Sequence, residues 1–590
     1  MVEPRYRWAL PPAVTLSPEL VDAAGRHSLS GRVARILAAR GVASAADLDA
    51  WFAEPLAALH DPALLPDAAA ALERLRTARE RGERVLVFGD FDADGLTGLA
   101  ILVRALRRFG LAVQPYVPSR LDEGHGLSLA SLDAAGTGGA TLIVTVDCGS
   151  TSVAEIAEAR RRGIDVIVTD HHRVPPVLPE AVALVNPHRP DAAYPDRRLA
   201  GSGVAFKLAC LLLADEPGGP EAALALADLA TIGTVADVAP IVGENRAIAR
   251  LGLEELRRCA RPGLAALLER ASIAPAGVDL ETVAFAIAPR LNAAGRVGEA
   301  AEAARLLLAD DPAEAAALAD ALESANGTRR DLMKTAVGEA RALVGASTGT
   351  PDAPAILVRG PWAVGIVGLV ASRLAEDLGR PAVVGADLGV VIRASCRSDG
   401  SLDLGATLEA CSDLFVRHGG HAGAAGFEVP ADRWDEFCER FTVLAAAAVR
   451  PDPRATLAVD LVMPAMDVDY ALHRDLERLA PCGPGNPEPL VAILGLTATR
   501  VRAATGGHSQ LTLKRRLDVL DGIAFGRTDI AETVREGDRL DVVARLTSRR
   551  FGGFESLQLD IRDVALAGSQ ADLAVAAESA VVPALAGAGA

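Results

Sequence analysis

Short apolar runs alternate with longer amphipathic segments in the first half of the 590-residue chain. The runs have the length of strands and occupy residues 85–88, 113–117, 141–146, 166–169 and 183–185. The segments between them have helical spacing, and residues 222–236 are predicted to form one further helix. Since strands that alternate with helices form parallel βαβ units, this pattern predicts an α/β domain with a mostly parallel sheet.

Other patterns flank this region on both sides. Towards the N-terminus the amphipathic segments are residues 28–40, 44–52 and 67–81. Ser28 and Ser44 are the candidate N-caps. Residues 311–344 form one long Ala-rich helical pattern. Beyond residue 455 the chain instead shows short strands, which predict a five-stranded barrel of the OB-fold type, at residues 490–494, 510–513, 540–546 and 556–561.

Composition narrows the class of protein. The chain is too long for a single hydrophobic core, so several domains are expected. A net charge of −17 argues against a non-specific nucleic-acid binder, but it is compatible with a nuclease that has one basic groove. Seven scattered cysteines without a CxxC pair argue against a zinc ribbon or a disulfide framework and indicate reduced thiols. With no signal peptide and no apolar run of membrane-spanning length, we expect a cytoplasmic protein without a membrane partner.

Three carboxylates, Asp90, Asp92 and Asp94, follow the first apolar run in the segment VLVFGDFDADGLTG. In parallel α/β folds, ligands bind at the carboxyl ends of the strands. If the strand continued, residues two apart would point to the same side, so several oxygens would converge there. Carboxylates at such short distances raise one another's pKa, and a divalent cation with oxygen ligands relieves their repulsion. The alternatives are an acidic surface turn and an Asp-rich helix cap.

Further acidic and imidazole groups follow other predicted elements. Asp147 comes after the third apolar run, Asp170, His171 and His172 come after the fourth, and Asp237 ends the further helix. Each has a structural alternative: a turn for Asp147, an N-cap for Asp170 and a solvated loop for Asp237. Their coincidence at the ends of successive elements favours a metal site. Aspartate oxygens combined with imidazole nitrogens suit Mn²⁺ or Mg²⁺.

Four motifs resemble those of the DHH phosphoesterase superfamily. They are, in chain order, GDFDADG, VDCG, DHH and GTVADV. Later segments narrow the resemblance to the RecJ family of single-strand-specific exonucleases, and these are AIAPRLNAAGRV, WAVGIVGLVASRL, GGHAGAAGF and LAPCGPGNPEP. The resemblance runs from about residue 30 to about residue 565.

The resemblance implies a multidomain α/β protein. The expected parts are an N-terminal helical segment (1–80), a parallel-sheet DHH catalytic domain (81–310), a long connecting helix (311–345), an α/β DHH-associated substrate-binding domain (346–450), an OB-fold-like nucleic-acid-binding barrel (455–565) and a disordered tail (566–590).

The resemblance also implies two metal ions that share one aspartate, and Asp147 matches this position. Asp92 and Asp94 match the motif-one ligands, one for each ion. His171 and Asp237 match ligands of the second ion.

Other residues near these ligands receive different roles from the resemblance. His172 matches a histidine that is turned towards the phosphate, and Asp170 is expected to orient the histidine pair through a hydrogen bond. Many superfamily members have a metal-ligating histidine four residues before Asp92, where this chain has Phe88. Asp90 or water is the expected replacement.

Residues outside the metal motifs match RecJ positions near the substrate. Arg290, Asn292 and Arg296 are expected on one loop, where guanidinium groups bind phosphate oxygens. The other matching residues are Arg120, Arg373, Arg397, Ser398, Gly420 and His421. The alternative for Arg120 is a surface Arg–Asp pair, and for Gly420 it is a turn made for close packing. The chain departs from the pattern at Ala363, where a histidine is common.

The function implied by the resemblance is a metal-dependent hydrolase. It would degrade single-stranded DNA from 5′ to 3′ by two-metal-ion phosphodiester hydrolysis and release 5′-mononucleotides. Its roles would be DNA repair and recombination, with a single-strand-binding protein and a helicase as partners. Two alternatives stay open. The predicted barrel disfavours a phosphodiesterase for short substrates, and the full set of carboxylates with His171 disfavours a non-enzymatic DNA-binding scaffold.

Overall fold

The computed structural model describes residues 2–120, 123–347, 353–448, 456–515, 518–551 and 554–570. The chain divides into two compact units. The first consists of Met1–Glu54 and Asp452–Ala590, and the second of Pro55–Pro451. The first unit is therefore discontinuous in sequence, and its N-terminal helices share one core with its C-terminal strands. Most of the expected tail, from residue 571 onwards, lies outside the described residues.

The first unit begins with a strand and three short helices. These are β1 (Arg7–Ala9), α1 (Pro18–Arg26), α2 (Gly31–Ala39) and α3 (Ala45–Trp51). Ser44 caps α3 as predicted, since its side chain accepts a hydrogen bond from Asp47 N. The predicted cap at Ser28 is wrong. The helix begins later, and Ser30 Oγ instead accepts from Val33 N at 3.4 Å.

A parallel sheet lies at the centre of the second unit. Its strands are β2 (Arg84–Gly89), β3 (Ala112–Tyr116), β4 (Ala140–Val146), β5 (Asp165–Thr169) and β6 (Ala183–Val185). Their order in the sheet is β3-β2-β4-β5-β6, and all pairs are parallel. Each strand matches a predicted apolar run to within one residue at either end. The central strands β2 and β4 are almost wholly buried, which explains why they are continuous apolar runs without alternation.

Helices cover this sheet and continue beyond it. They are α4 (Ala68–Arg81), α5 (Ala93–Arg108), α6 (Leu129–Thr137), α7 (Val153–Arg161), α8 (Gly201–Leu213), α9 (Gly219–Leu224), α10 (Ala227–Ala236), α11 (Gly243–Arg258), α12 (Pro262–Arg270), α13 (Leu280–Thr282), α14 (Ala288–Val297) and α15 (Ala300–Leu308). A single π turn, Val283–Ile287, precedes α14. The prediction of one helix over 222–236 is wrong, because the chain breaks between α9 and α10. The Ala- and Leu-rich sequence there contains no Gly or Pro to mark the break.

A long helix and a second sheet complete this unit. The 36-residue helix α16 (Pro312–Ser347) leads to β7 (Ile356–Gly360), α17 (Val364–Leu378), β8 (Ala382–Asp387), β9 (Val391–Arg397), α18 (Leu404–Glu409), β10 (Arg417–Gly420), β11 (Ala424–Pro430) and α19 (Trp434–Ala446). The sheet is mixed, with order β10-β11-β9-β8-β7, and only β7 and β8 pair in parallel. The α/β domain joined by a long helix is therefore confirmed.

The rest of the first unit is a closed barrel. Its elements are β12 (Thr456–Ala458), β13 (Leu461–Pro464), α20 (Tyr470–Glu477), β14 (Val491–Ala504), β15 (His508–Arg515), β16 (Asp518–Ala524), α21 (Thr528–Thr533), β17 (Arg539–Phe551) and β18 (Phe554–Leu566). Pairing runs from β14 through β15, β16, β18 and β17 and returns to β14. The predicted five-stranded barrel is confirmed.

A buried carboxylate ties the N-terminal strand to this barrel. Asp563 accepts hydrogen bonds from the backbone N–H groups of Arg5 and Tyr6, from Trp8 Nε1 at 2.8 Å and from Arg527 Nη1 at 3.0 Å. Because Asp563 is fully buried, these donors are needed to offset its desolvation. Across both units, no helix in the described part of the chain is long and apolar enough to cross a membrane.

Candidate metal centre

The carboxyl ends of β2, β4 and β5 lie side by side at one edge of the parallel sheet. Backbone hydrogen bonds continue this alignment one residue beyond each strand. Asp90 N donates to Val146 O at 3.3 Å, and Asp147 N donates to Thr169 O at 3.0 Å. The motifs that follow the three strands therefore meet at this edge.

The turn after β2 presents Asp92 through a helix cap. The strand ends at Gly89, so convergence through strand alternation is not how these carboxylates come together. Asp92 is the N-cap of α5, and its Oδ1 accepts from Asp94 N at 3.0 Å and from Gly95 N at 3.2 Å. The carboxylate thus lies at the positive end of the helix dipole, which favours its ionised form.

Asp94 lies in the first turn of α5 and is held by a second helix. Its Oδ2 accepts from Gly201 N at 2.7 Å and its Oδ1 accepts from Ser202 N at 2.9 Å, both at the N-terminus of α8. The Asp94 side chain is 2% exposed and lies 3.9 Å from His171 Nε2. Two helix N-termini therefore fix two carboxylates at the same edge.

Asp147 occupies a left-handed backbone conformation, with φ of 61°. Aspartate adopts this region more readily than most residues, although it still carries strain there. The turn directs Asp147 Oδ1 to within 3.0 Å of His171 Nε2 and 3.9 Å of His172 Nδ1. One aspartate oxygen therefore lies beside both histidines.

Asp170 organises the DHH turn. Its Oδ1 accepts from the backbone N–H of His171 and His172 and from His172 Nδ1 at 2.8 Å, while its Oδ2 accepts from Ser150 N at 3.0 Å. The geometry is that of a residue which orients the histidine pair.

Asp237 closes the site from the end of α10. It is the C-cap of that helix, and its Oδ2 lies 3.9 Å from His171 Nδ1. The next residue, Val238, has φ of 60°, a conformation that a β-branched side chain rarely adopts. Left-handed residues thus occur at Asp147 and directly after Asp237.

Burial and mutual repulsion shift the acidities of these groups. Burial, with the charges of Asp90 and Asp94, raises the pKa of Asp92 to about 6. Burial and the Asp94 charge raise the pKa of Asp237 to about 7. Burial and the charge of Asp94 also raise the pKa of Asp147 well above its usual range. The cluster is therefore costly in its ionised form unless a cation compensates it.

The histidine and aspartate of the DHH turn behave in the opposite way. The hydrogen bond to Asp170 raises the pKa of His172 to about 9. Burial alone would raise the pKa of Asp170, but the hydrogen bond and charge of His172 hold it well below its usual range. His172 is therefore a half-exposed cation at neutral pH.

The donor set fits divalent cations. Three groups of residues offer ligand atoms that all lie within 4.8 Å of one another, and they are Asp90–Asp92–Asp147, Asp94–His171–Asp237 and Asp147–His171–His172. Asp147 belongs to two of them. Asp147 Oδ1 and His171 Nε2 are buried, lie 3.0 Å apart, and form no hydrogen bond among the described residues. A buried oxygen and nitrogen in this arrangement are donor atoms that could hold a divalent cation.

Three predicted substrate residues lie close together, and two of them, Arg120 and Arg296, interact electrostatically with Asp92. Arg120 stacks over the ring of Phe91 with its Cζ 4.7 Å from the centroid. Burial, Arg120 and Arg329 lower the pKa of Arg296 to about 9. Burial also lowers the pKa of Arg397, with a smaller effect from the nearby Arg120. Arginines that lower one another's pKa in this way form a concentrated positive site.

All three residues of the predicted Arg290–Asn292–Arg296 loop have structural partners, and that of Arg296 is Gly365 O. All three lie on α14, so the loop assignment is wrong. Arg290 Nε donates to Glu323 at 2.5 Å, and Asn292 Oδ1 accepts from Ala93 N at 2.9 Å. Asn292 thereby supports the turn that carries Asp92.

The remaining predicted substrate residues lie in the second α/β domain and have local contacts. Arg373 Nε pairs with Asp377 at 3.0 Å on the surface of α17. Ser398 Oγ donates to Leu402 O at 2.7 Å within a turn. Gly420 has φ of 145°, and a Cβ there would lie 2.4 Å from Ala425 Cα, so the hairpin requires glycine.

His421 belongs to the same hairpin. Its Nδ1 accepts from Gly423 N at 3.2 Å, and the residue is exposed. The structure therefore gives His421 a position in the turn, and its role toward substrate stays a prediction.

Comparison with known proteins assigns all three domains. Residues 84–234 match the DHH family N-terminal domain, residues 354–446 the DHHA1 domain and residues 459–563 the RecJ OB domain. The chain is 34% identical over 561 residues to the single-stranded-DNA-specific exonuclease RecJ of Escherichia coli, covering 90% of this chain and 95% of that protein. The chain belongs to the RecJ family. It is also 35% identical to the RecJ of Dickeya dadantii, over 92% of this chain and 97% of that protein.

Solved RecJ structures have the same fold. The crystal structure of RecJ from Thermus thermophilus in complex with Mn²⁺ superimposes with a TM-score of 0.80 at 32% identity, covering 96% of this chain and 81% of that one. The corresponding complex with Mg²⁺ gives a TM-score of 0.74 at 31% identity, with coverages of 95% and 78%. The RecJ of Thermus thermophilus, which has this fold, has thus been crystallised in complex with either ion.

Some residues at this RecJ-type site were not indicated by the sequence motifs. Gly201 and Ser202, which hold Asp94, lie over a hundred residues from it in the chain. The segment LAGSGVA, with glycines in the first turn of α8, is the signal that could have indicated a tight contact. Arg329 on α16 was also missed, since its Ala-rich helical pattern indicated a connector and a cleft wall but no particular side chain.

Proposed function

We propose that the chain is an exonuclease specific for single-stranded DNA, and that it hydrolyses phosphodiester bonds with two Mn²⁺ or Mg²⁺ ions. The observation that carries the proposal is the orphaned pair Asp147 Oδ1 and His171 Nε2, buried within a cluster of four further aspartates. The RecJ relatives, whose names describe single-stranded-DNA-specific exonucleases, support the substrate class.

The residues divide into two ligand groups. Asp90, Asp92 and Asp147 are the candidates for one ion, and Asp94, His171 and Asp237 for the other. Asp147 is the candidate bridging ligand, since its Oδ1 also faces His171 at 3.0 Å. When bound, a pair of divalent cations activates a water molecule and stabilises charge on the phosphodiester.

The chain's own cations bind and orient the phosphates. Asp170 holds His172 in its protonated form at neutral pH, so that the half-exposed ring can donate to a phosphate oxygen. Arg120, Arg296 and Arg397 form the basic side of the site, and the charge of Asp92 acts on both Arg120 and Arg296. A strand that enters here places one of its terminal phosphates between the basic and acidic groups.

We further propose that the strand is degraded from its 5′ end to 5′-mononucleotides. Arg296 Nη1 donates to Gly365 O at 2.9 Å, where α14 meets α17. The proposal includes an entrance beside this contact that accepts a single strand and excludes a duplex. By resemblance to the family, the activity would serve DNA repair and recombination together with a single-strand-binding protein and a helicase.

Digestion of a 5′-phosphorylated, 3′-labelled single strand with Mn²⁺ tests this function. We expect stepwise shortening from the 5′ end, with no digestion of a 5′-blocked strand or of a duplex. Asp147→Asn should abolish digestion, whereas Asp215→Asn, at a side chain 88% exposed, should not change it. Binding without cleavage by the native chain would contradict an enzymatic role, and cleavage of only very short oligonucleotides would contradict the substrate class.

A further inference from the structure

The segment between β3 and α6 contains a histidine, His125, that none of the motifs includes. Its Nδ1 lies 3.0 Å from Asp90 Oδ2, and its ring packs against Phe91 with centroids 4.4 Å apart. The His125 side chain is 71% exposed, whereas that of Asp90 is 5% exposed. The contact therefore joins the surface of the protein to the buried acidic cluster.

The direction of this hydrogen bond gives the two Asp90 oxygens different roles. When the Asp90 carboxylate is ionised it only accepts, and the His125 tautomer with its hydrogen on Nδ1 then donates to Oδ2. Oδ1 is buried and has no hydrogen-bond partner among the described residues. Asp90 can offer one oxygen to a point that Asp92 and Asp147 also reach. Because Oδ2 is occupied by His125, Oδ1 is the oxygen left for a cation.

The segment that carries His125 has its own internal support. The carboxylate of Glu123 accepts from Tyr116 Oη at 3.0 Å, from Ser119 N at 2.9 Å and from Ser128 Oγ at 2.5 Å. These bonds fix the segment on both sides of the histidine. The imidazole is thus pre-positioned, and holding it beside Asp90 costs little further conformational entropy.

Phe88 occupies the position where many superfamily members have a metal-ligating histidine, and its side chain has no ligand atom for a cation. Phe88 is fully buried, and its ring stacks on Tyr116 with centroids 5.7 Å apart. The first ligand group is therefore all carboxylate, and the orientation of Asp90 decides whether it has three oxygens or two.

We propose that His125 is a positioning residue for this site: by donating to Asp90 Oδ2 it turns Asp90 Oδ1 towards Asp92 and Asp147, so that Asp90 replaces the ligand absent at Phe88. The inference rests on the proposed two-metal function. Hydrogen bonds to a metal ligand fix its orientation, and their removal costs about 10–100-fold in metal affinity.

Two substitutions separate the hydrogen bond from the packing. His125→Phe keeps a ring against Phe91 and removes the donor, whereas His125→Asn keeps a donor near the position of Nδ1 and removes the ring. Binding of Mn²⁺ to the full chain is measured by titration calorimetry. We expect two ions for the native chain, one of them bound about 10–100-fold more weakly by His125→Phe, and recovery close to native affinity in His125→Asn.

A double-mutant cycle with Asp90→Asn protects this test against effects on folding. If His125 acts through Asp90, His125→Phe should weaken Mn²⁺ binding in the native background and have no further effect in Asp90→Asn. Native affinity of His125→Phe for both ions would overturn the inference, as would equal losses in His125→Phe and His125→Asn. A native chain that binds no Mn²⁺ would instead contradict the proposed function itself.

Discussion

Gly201, the first residue of α8, is the position where one added methyl group should disturb the metal centre most selectively. A Cβ at this position would lie 2.6 Å from Asp147 Cβ and 2.6 Å from Asp147 Oδ1. Carbon contacts are optimal at about 3.5–4.0 Å, so the methyl group and the carboxylate must separate by about 1 Å. If α8 moved away so that Asp147 could stay in place, Asp94 would lose its support, because Gly201 N donates to Asp94 Oδ2 at 2.7 Å.

The size of the effect follows from this displacement. A misplacement of about 1 Å costs about 10²-fold in rate, which equals about 2.7 kcal/mol of transition-state stabilisation. Alanine stabilises a helix relative to glycine by about 0.5–1 kcal/mol. A loss of activity in Gly201→Ala could therefore not be caused by a less stable helix. We therefore expect Gly201→Ala to lower kcat/KM on single-stranded DNA with Mn²⁺ by about 10²-fold.

Gly203→Ala in the same helix is the matched control. Its Cβ would lie 3.4 Å from Leu199 Cβ, an ordinary contact. We expect this variant to have close to native kcat/KM and a Tm no lower than that of the native chain. Native kcat/KM together with native Mn²⁺ affinity in Gly201→Ala would refute the reasoning.

Three further predictions concern pH, stability and substrate binding. The rise in Tm caused by Mn²⁺ should be smaller at about pH 5 than at about pH 8. Asp92 (pKa about 6) and Asp237 (pKa about 7) are protonated at the lower pH, and at the higher pH their charges destabilise the metal-free fold. An equal rise in Tm at both pH values would contradict this. Asp563→Ala should lower the free energy of unfolding of the first unit by about 3–5 kcal/mol in urea, because it leaves buried donors unpaired. Asp529→Ala, at a side chain 56% exposed, should cost less than about 1 kcal/mol, and similar losses for the two would contradict the account. Arg120→Ala should raise KM for single-stranded DNA. It should also reduce the slope of log affinity against log salt concentration by about 0.7, which is the value for one phosphate contact on a single strand. An unchanged slope would argue against phosphate binding by Arg120.

The strands and the metal motifs were predictable because their signals are local. A buried parallel strand is a short apolar run, and a carboxylate directly after it must lie at the carboxyl edge of the sheet. For that reason Asp147, Asp170 and His171 could be placed beside motif one from the sequence alone. The wrong helix over 222–236 has the opposite cause, since the break between α9 and α10 has no residue that marks it.

The partners of these residues were not predictable, since they come from distant parts of the chain. Asn292 lies between two arginines in the sequence, which suggested a role at the substrate. Its Oδ1 accepts from Ala93 N and so supports the turn of motif one. Arg290 Nε donates to Glu323 on α16, a contact that the sequence did not indicate, and its role toward substrate stays a prediction. Both contacts depend on how the helices pack. The spacing of apolar residues predicts that a helix forms, but it does not predict which residues of two packed helices lie opposite one another.

The central claim is that the carboxyl edge of the parallel sheet holds two cations that share Asp147. Anomalous diffraction from crystals soaked in Mn²⁺ tests it most directly. We expect two peaks about 3.5–4 Å apart, with Asp147 between them. One peak should lie beside Asp90 and Asp92, and the other beside His171 and Asp237. A single peak, or two peaks without Asp147 in common, would contradict the account.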